Sequence, residues 1–234
     1  MAINFKEIPA RKSLEEKREE SVEKIMDASM KLFYLKGYSA TTTRDIIKEA
    51  GILNGSLYNR FKNKEEILQS IVNRAIKTVL DESERVLEKE KNPILAFALP
   101  ASLEIYLSCN DKRAAELIYE ANRSWSMVES FVESEREWSS KYLSKYGVDF
   151  GSDPWLDLKV SAIIGAVGNI CGHYAKGGTE DYREVLAHMV KFISTLLEIP
   201  VFEVNHTVDR LVDILKSNEI VFCKIKMKFE EGSV

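Results

Sequence analysis

The sequence is short of glycine, proline and cysteine, and each shortage excludes something. Its 234 residues hold 11 glycines and 5 prolines, and residues 56–146 contain no glycine at all. Hairpins and tight turns are hard to build without that residue, so helix is the expected state of the stretch. Cys109, Cys171 and Cys223 are odd in number, far apart and outside any C-x-x-C or histidine-rich setting. Neither a disulfide framework nor a zinc site is expected from them. His173, His188 and His206 are scattered, and no H-E-x-x-H, nucleophile elbow or phosphate loop is present. No catalytic residue, metal ligand or cofactor is therefore expected, and the chain is not read as an enzyme. The N-terminus lacks the apolar core of a signal peptide, and no uncharged apolar stretch approaches the length of a membrane span. The expected setting is a reducing cytoplasm, with no membrane. Basic excess is lacking too: the net charge of −4, taken whole, speaks against nucleic acid.

What is present reads as successive amphipathic helices, in a chain long enough for one large domain or two small ones. Residues 1–14 mix charge with Pro9 and read as a flexible arm. From Glu15, Val22, Ile25, Met26, Ser29, Leu32 and Phe33 keep a period of 3.6 up to the stop at Gly37. Thr42-x-x-Asp45 is a capping box opening a short helix that Gly51 ends. A second short helix carries Leu57, Tyr58 and Phe61, and Lys64 opens a longer one. Pro93 suits a first helical turn, whereas Pro100 predicts a kink or break near Leu99. Residues 111–146 form one long helix or two, residues 147–154 a loop, and Trp155 to Lys176 a further helix. Thr179 is the expected cap of the next, and Val208, Leu211, Val212 and Leu215 mark another. Near the C-terminus, Lys224, Lys226 and Lys228 alternate with Ile225, Met227 and Phe229, predicting a short strand.

Three helices within about fifty residues, the last two joined by a short glycine-containing turn, have the geometry of a helix-turn-helix. Ile46 and Leu57 can pack on Phe33, leaving the third helix free to enter a major groove. Side chains suited to base edges or phosphates stand on that side: Thr42, Thr43 and Arg44 at the start of the second helix, Asn54, Ser56, Asn59 and Arg60 on the third, then Lys62 and Lys64. Gly55 allows close approach of the backbone. Charge is distributed accordingly, since residues 1–64 hold 13 basic and 9 acidic side chains while the remainder is acidic.

These residues resemble a known family. Gly37-Tyr38-Ser39-Ala40-Thr41-Thr42-Thr43-Arg44-Asp45-Ile46, followed by Ala50-Gly51-Ile52-Leu53-Asn54-Gly55-Ser56-Leu57-Tyr58-Asn59-Arg60-Phe61-Lys62-Asn63-Lys64-Glu65, is similar to the DNA-binding domain of the tetracycline-repressor (TetR) family. The resemblance covers about a quarter of the chain. It implies an all-α homodimer with a three-helix helix-turn-helix domain at residues 1–64 and a helical effector-binding and dimerisation domain at 65–234. It implies that Tyr58 contacts phosphate. It further implies a ligand-responsive transcriptional regulator, a repressor, that binds a palindromic double-stranded DNA operator and is released by a small-molecule effector. Two positions depart from the family pattern: Leu53 replaces a small polar cap, leaving Asn54 to cap the recognition helix, and Ile47 replaces a small alanine.

Gly165, Gly168 and Gly172 share one helix face, where close approach of another helix is expected. That helix belongs either to the partner subunit, with His188, Phe192 and Leu196 nearby, or to the same chain. Tyr106, Tyr119, Asn122, Trp125, Trp138, Asn169 and His173 supply aromatic and amide groups able to line an effector cavity, or else are ordinary core. The reading from another class is an all-α interaction module or small enzyme that does not bind DNA.

Overall fold

The computed structural model describes residues 13–150 and 153–217. The predicted strand at 224–229 and nearly all of the arm at 1–14 lie outside the described residues. Within them stand ten α-helices, a 3-10 turn at Leu143–Tyr146 and no strand.

Capping chemistry sets the first four helices. Helix α1, Leu14–Lys36, opens on a capping box between Ser13 and Glu16 and buries Ile25, Met26, Ser29, Met30 and Phe33. It stops at Gly37, whose φ of 89° suits glycine. Helix α2, Thr43–Ala50, has the predicted Thr42–Asp45 box and ends at left-handed Gly51. Helix α3, Asn54–Tyr58, buries Leu57. Helix α4, Lys64–Glu90, is capped by Asn63, whose side-chain oxygen accepts from the Glu66 N–H at 2.8 Å.

Of the kink or break expected near Leu99, helix α5, Pro93–Asn110, excludes the break: it runs on through Pro100. Proline removes the N–H that the Ala96 carbonyl would accept, a cost of about 3 kcal/mol in an isolated helix. Here α5 is surrounded by other helices, and 13 of its side chains, from Ile94 to Ser108, are buried. That burial outweighs the single lost hydrogen bond. The helix is apolar and long enough to cross a membrane by length and composition, yet most of its surface lies inside the protein.

Around α5 pack α4, α6 (Lys112–Asn122), α8 (Leu156–Ala175), α9 (Tyr182–Leu197) and α10 (Val204–Ser217). Helix α7, Trp125–Tyr142, closes the bundle against α4 and α8. The two-helix alternative for residues 111–146 is thus the one realised. Asp181, not Thr179, caps α9, its carboxylate accepting from the N–H groups of Arg183 and Glu184. One hydrophobic core runs from Ile25 to Leu215.

The close approach predicted from the glycines of α8 is made inside the chain. A Cβ on Gly168 would stand 2.7 Å from Asn122 Cβ, and one on Gly172 would stand 2.7 Å from the Tyr119 ring, both on α6. Gly165 is exposed with nothing within 4 Å. Gly168→Ala should therefore destabilise the fold by about 1–3 kcal/mol despite alanine's better helix propensity, because Asn122 Cβ moves only with its backbone. Chemical denaturation of the variant beside the wild type measures this, and a gain in stability would contradict the packing described.

Candidate nucleic-acid interface and adjoining cavity

The side chains singled out between residues 42 and 62 lie on α2, α3 and the turns beside them, and most are at the surface. Thr42, Arg44, Asn54, Gly55, Tyr58, Asn59 and Lys62 are exposed, and Thr43 and Ser56 are half-buried. Local bonds order this surface. The Thr43 hydroxyl and the Tyr58 phenol share a hydrogen bond of 3.2 Å, joining the start of α2 to the end of α3. Asp45 accepts from the Thr42 N–H and from Lys36 Nζ at 2.7 Å. The Lys36 ammonium and the Thr42 donors hold its carboxyl well below the usual carboxylate range. Asn54 does not cap α3, which corrects that expectation: Leu53 is the capping residue and makes no side-chain bond. The Asn54 side chain is thereby left at the surface, beside a leucine that is 80% exposed. Ile47 packs half-buried on the core, and its carbonyl accepts from the Ile52 N–H at 3.2 Å.

Lys64 differs from its neighbours. Its ammonium donates inward, to the carbonyls of Tyr38 at 2.6 Å and Thr41 at 2.9 Å, and lies 4.2 Å from the centre of the Tyr38 ring. Burial lowers its pKa from the ordinary lysine value. The charge predicted to meet phosphate instead fastens α4 to the corner between α1 and α2. Gly55 has nothing within 4 Å of where a Cβ would stand, so the fold itself does not require glycine there.

An apolar cavity lies where α1, α4, α5 and α6 meet. Met30 and Tyr34 come from α1, Leu68, Ile71 and Val72 from α4, and Leu103 from α5. A second space between α5, α7 and α8 adjoins it, with Pro100, Glu104 and Phe131 bordering both. Tyr34 also donates its phenol proton to Asp111, the cap of α6, so α1 is bonded to the bundle at the cavity's edge. This bond is the main cause that raises the Tyr34 pKa. Helices α1 and α4, which flank the 42–62 segment in the chain, thus form one wall of the cavity.

Most of the aromatic and amide groups expected at a cavity lie elsewhere. Only Asn122 borders it. Trp125 is 69% exposed, Asn169 and His173 are at the surface, and His173 Nε2 is 2.6 Å from Glu180. Tyr106 packs edge-on against Tyr182, Tyr119 covers Gly172, and Trp138 is core beside Tyr142. The large rings expected there filled core or surface, while mostly aliphatic side chains, with Tyr34, Phe97 and Phe131, made the walls. Sequence reading missed two acids. Glu104 lines both spaces and accepts from Asn122 Nδ2 at 2.9 Å, and Glu135 is 5% exposed with its Oε1 unpartnered among the described residues. Glu104 carried a signal, being the only charge inside the apolar run 93–110. Burial pushes the Glu104 carboxyl up to about 7, against the pull of the Asn122 donor, and the Glu135 carboxyl up to about 8. Of the residues expected between subunits, Gly165, His188 and Phe192 are exposed, Leu196 is half-buried, and Gly168 and Gly172 are covered by α6.

Residues 25–71 match the sequence model for bacterial regulatory proteins of the tetR family. The HTH-type transcriptional regulator LmrA of Bacillus subtilis (strain 168) is 32% identical over 142 residues, 54% of this chain and 71% of LmrA. The HTH-type transcriptional repressor KstR2 of Mycolicibacterium smegmatis is 31% identical over 72 residues, 31% of this chain and 35% of KstR2. The chain thus spans about a third of that relative's length. Among solved structures, RolR in complex with resorcinol aligns at a TM-score of 0.56 and 20% identity, covering 80% of this chain and 98% of RolR. At that identity it is the fold that is shared.

The buried acids carry a consequence for stability. Between the ordinary glutamate value of 4.5 and about 8, native Glu135 keeps a proton that the unfolded chain has released. Stability therefore falls as pH rises through that window, and the penalty is complete above it. Glu135→Gln should flatten this slope and stabilise the protein most near pH 9, with little change near pH 4. Denaturation midpoints across pH test it; parallel curves for variant and wild type would refute it.

Proposed function

Since the chain belongs to the tetR family of bacterial regulatory proteins, we propose that it is a ligand-responsive transcriptional regulator, a repressor, that binds operator DNA as a homodimer through residues 42–62. One observation carries the reading: α4 walls the cavity with Leu68, Ile71 and Val72 while its first residue, Lys64, is bonded to the corner that precedes α2. A molecule filling the cavity pushes on the element that orients the reading face. In this scheme residues 1–64 read DNA and residues 65–234 bind effector and dimerise, with α4 shared between them.

Asn54, Ser56 and Asn59 read base edges, and Thr42, Thr43, Arg44, Tyr58 and Lys62 hold phosphates, with the backbone at Gly55 close to the duplex. Two such faces related by a two-fold axis require half-sites about one helical turn apart. The pair forms through the exposed side of α8 and α9, where Gly165 has no side chain and Phe192 is 39% exposed. Effector binding favours a conformer whose two faces no longer match that spacing. The apolar walls favour an effector with a largely apolar body.

The operator can be selected from random duplexes and footprinted beside the gene. Arg44→Ala combined with Tyr58→Phe should lower operator affinity about tenfold or more while helical content stays unchanged, and log affinity should fall steeply with log salt. Gly55→Leu should do the same without loss of stability, since only the duplex opposes a side chain there. Unchanged affinity in both variants would rule out this face. Phe192→Asp should convert a dimer to a monomer in analytical ultracentrifugation and weaken binding to the full palindrome more than to a single half-site.

A further inference from the structure

Glu135 presents a buried carboxyl oxygen with no hydrogen-bond partner among the described residues, on the wall of the space between α5, α7 and α8. An acceptor left in that condition costs about 1–3 kcal/mol, and the fold gains nothing visible from it. Glu104 borders the same space, and one of its oxygens is engaged only by the Asn122 amide. No lysine, arginine or histidine is among the described residues lining either part of the cavity. Phe97 and Phe131 stand at the same end, and an aromatic face attracts a cation. Apart from Tyr34, Met30 and Asn122, the rest of the lining is aliphatic.

We propose that the cavity takes an apolar organic cation, an ammonium or amidinium head on a hydrocarbon or aromatic body, with the head at Glu135 and Glu104 and the body along the walls of α4, α5 and α6. This deepens the reading of the cavity as the effector site and rests on it. Without ligand, burial keeps protons on both carboxyls, up to about 8 for Glu135 and about 7 for Glu104. The entering cation displaces one proton to solvent and pairs with the carboxylate left behind, so the buried charge remains balanced. An anion finds no counter-charge, and a neutral alcohol gains a hydrogen bond without an ion pair.

Three probes of one chain length test this by calorimetry on the full chain near neutral pH: octylammonium, 1-octanol and octanoate. Octylammonium should bind about tenfold or more tighter than octanol, the gain expected of a charge-assisted bond, and octanoate more weakly than either. Its binding should release protons, seen as a heat that depends on the buffer's ionisation enthalpy. Glu135→Gln should remove most of the preference for the amine and of the proton release, while octanol binding, altered far less than amine binding, reports an intact cavity. Should Glu135→Gln fail to fold, Glu104→Gln is read in the same way. Equal binding of amine and alcohol, preference for octanoate, or a preference that survives both substitutions overturns the proposal. A protein that binds its selected operator yet ignores probe charge refutes the cation alone. A charge preference without operator binding supports the cation and refutes the regulator.

Discussion

A half-buried ammonium ties the reading face to the rest of the chain: Lys64 gives its protons to the carbonyls of Tyr38 and Thr41 and lies against the Tyr38 ring. Those carbonyls belong to a loop whose backbone needs partners. By supplying them from the first turn of α4, the chain fixes the angle at which α2 and α3 leave α1. Thr41 adds to the clamp, its hydroxyl donating to the Gly37 carbonyl at 2.8 Å. Surface ion pairs such as Lys31 with Glu49 add little in comparison, because solvent screens them.

From that clamp the packing follows in sequence. Helix α4 carries apolar residues from Ile67 to Leu87, and these must be covered along its length. Helices α5 and α7 cover it, and α5, itself apolar on every side, requires the further layer of α6, α8, α9 and α10. Close passage of α6 over α8 depends on Gly168 and Gly172. The cavity is what remains where α1, α4, α5 and α6 meet, and its position beside Met30 and Tyr34 follows from the same arrangement.

Much of the helical plan was legible because its signals are local. The Thr42–Asp45 box, the stops at Gly37 and Gly51 and the first-turn Pro93 each act through groups within a few residues. Where two local signals compete, sequence alone does not choose: Thr179 and Asp181 are both capping residues, and it is Asp181 that caps α9. Pro100 does not break α5, because its cost is local and its compensation is not, coming from helices distant in sequence. The surface exposure of most polar residues from 42 to 62 followed from their residue types, but the inward turn of Lys64 depends on a loop 23 and 26 residues away. Cavity walls were least legible. Leu68, Leu103 and Leu117 differ in nothing from core leucines until four helices are assembled around a gap.

Helix α4 also bears on how such a chain can be taken apart. Its early turns meet α1 and its flanks meet α5 and α7, so the seam between reading face and bundle runs lengthwise along one helix and not across a linker. A chimera spliced after residue 64 keeps Lys64 but replaces the side chains against which α1 rests. A graft that moves the reading face to another bundle therefore has to carry the α1-facing stripe of α4 with it, leaving only the opposite stripe to be matched to the new host.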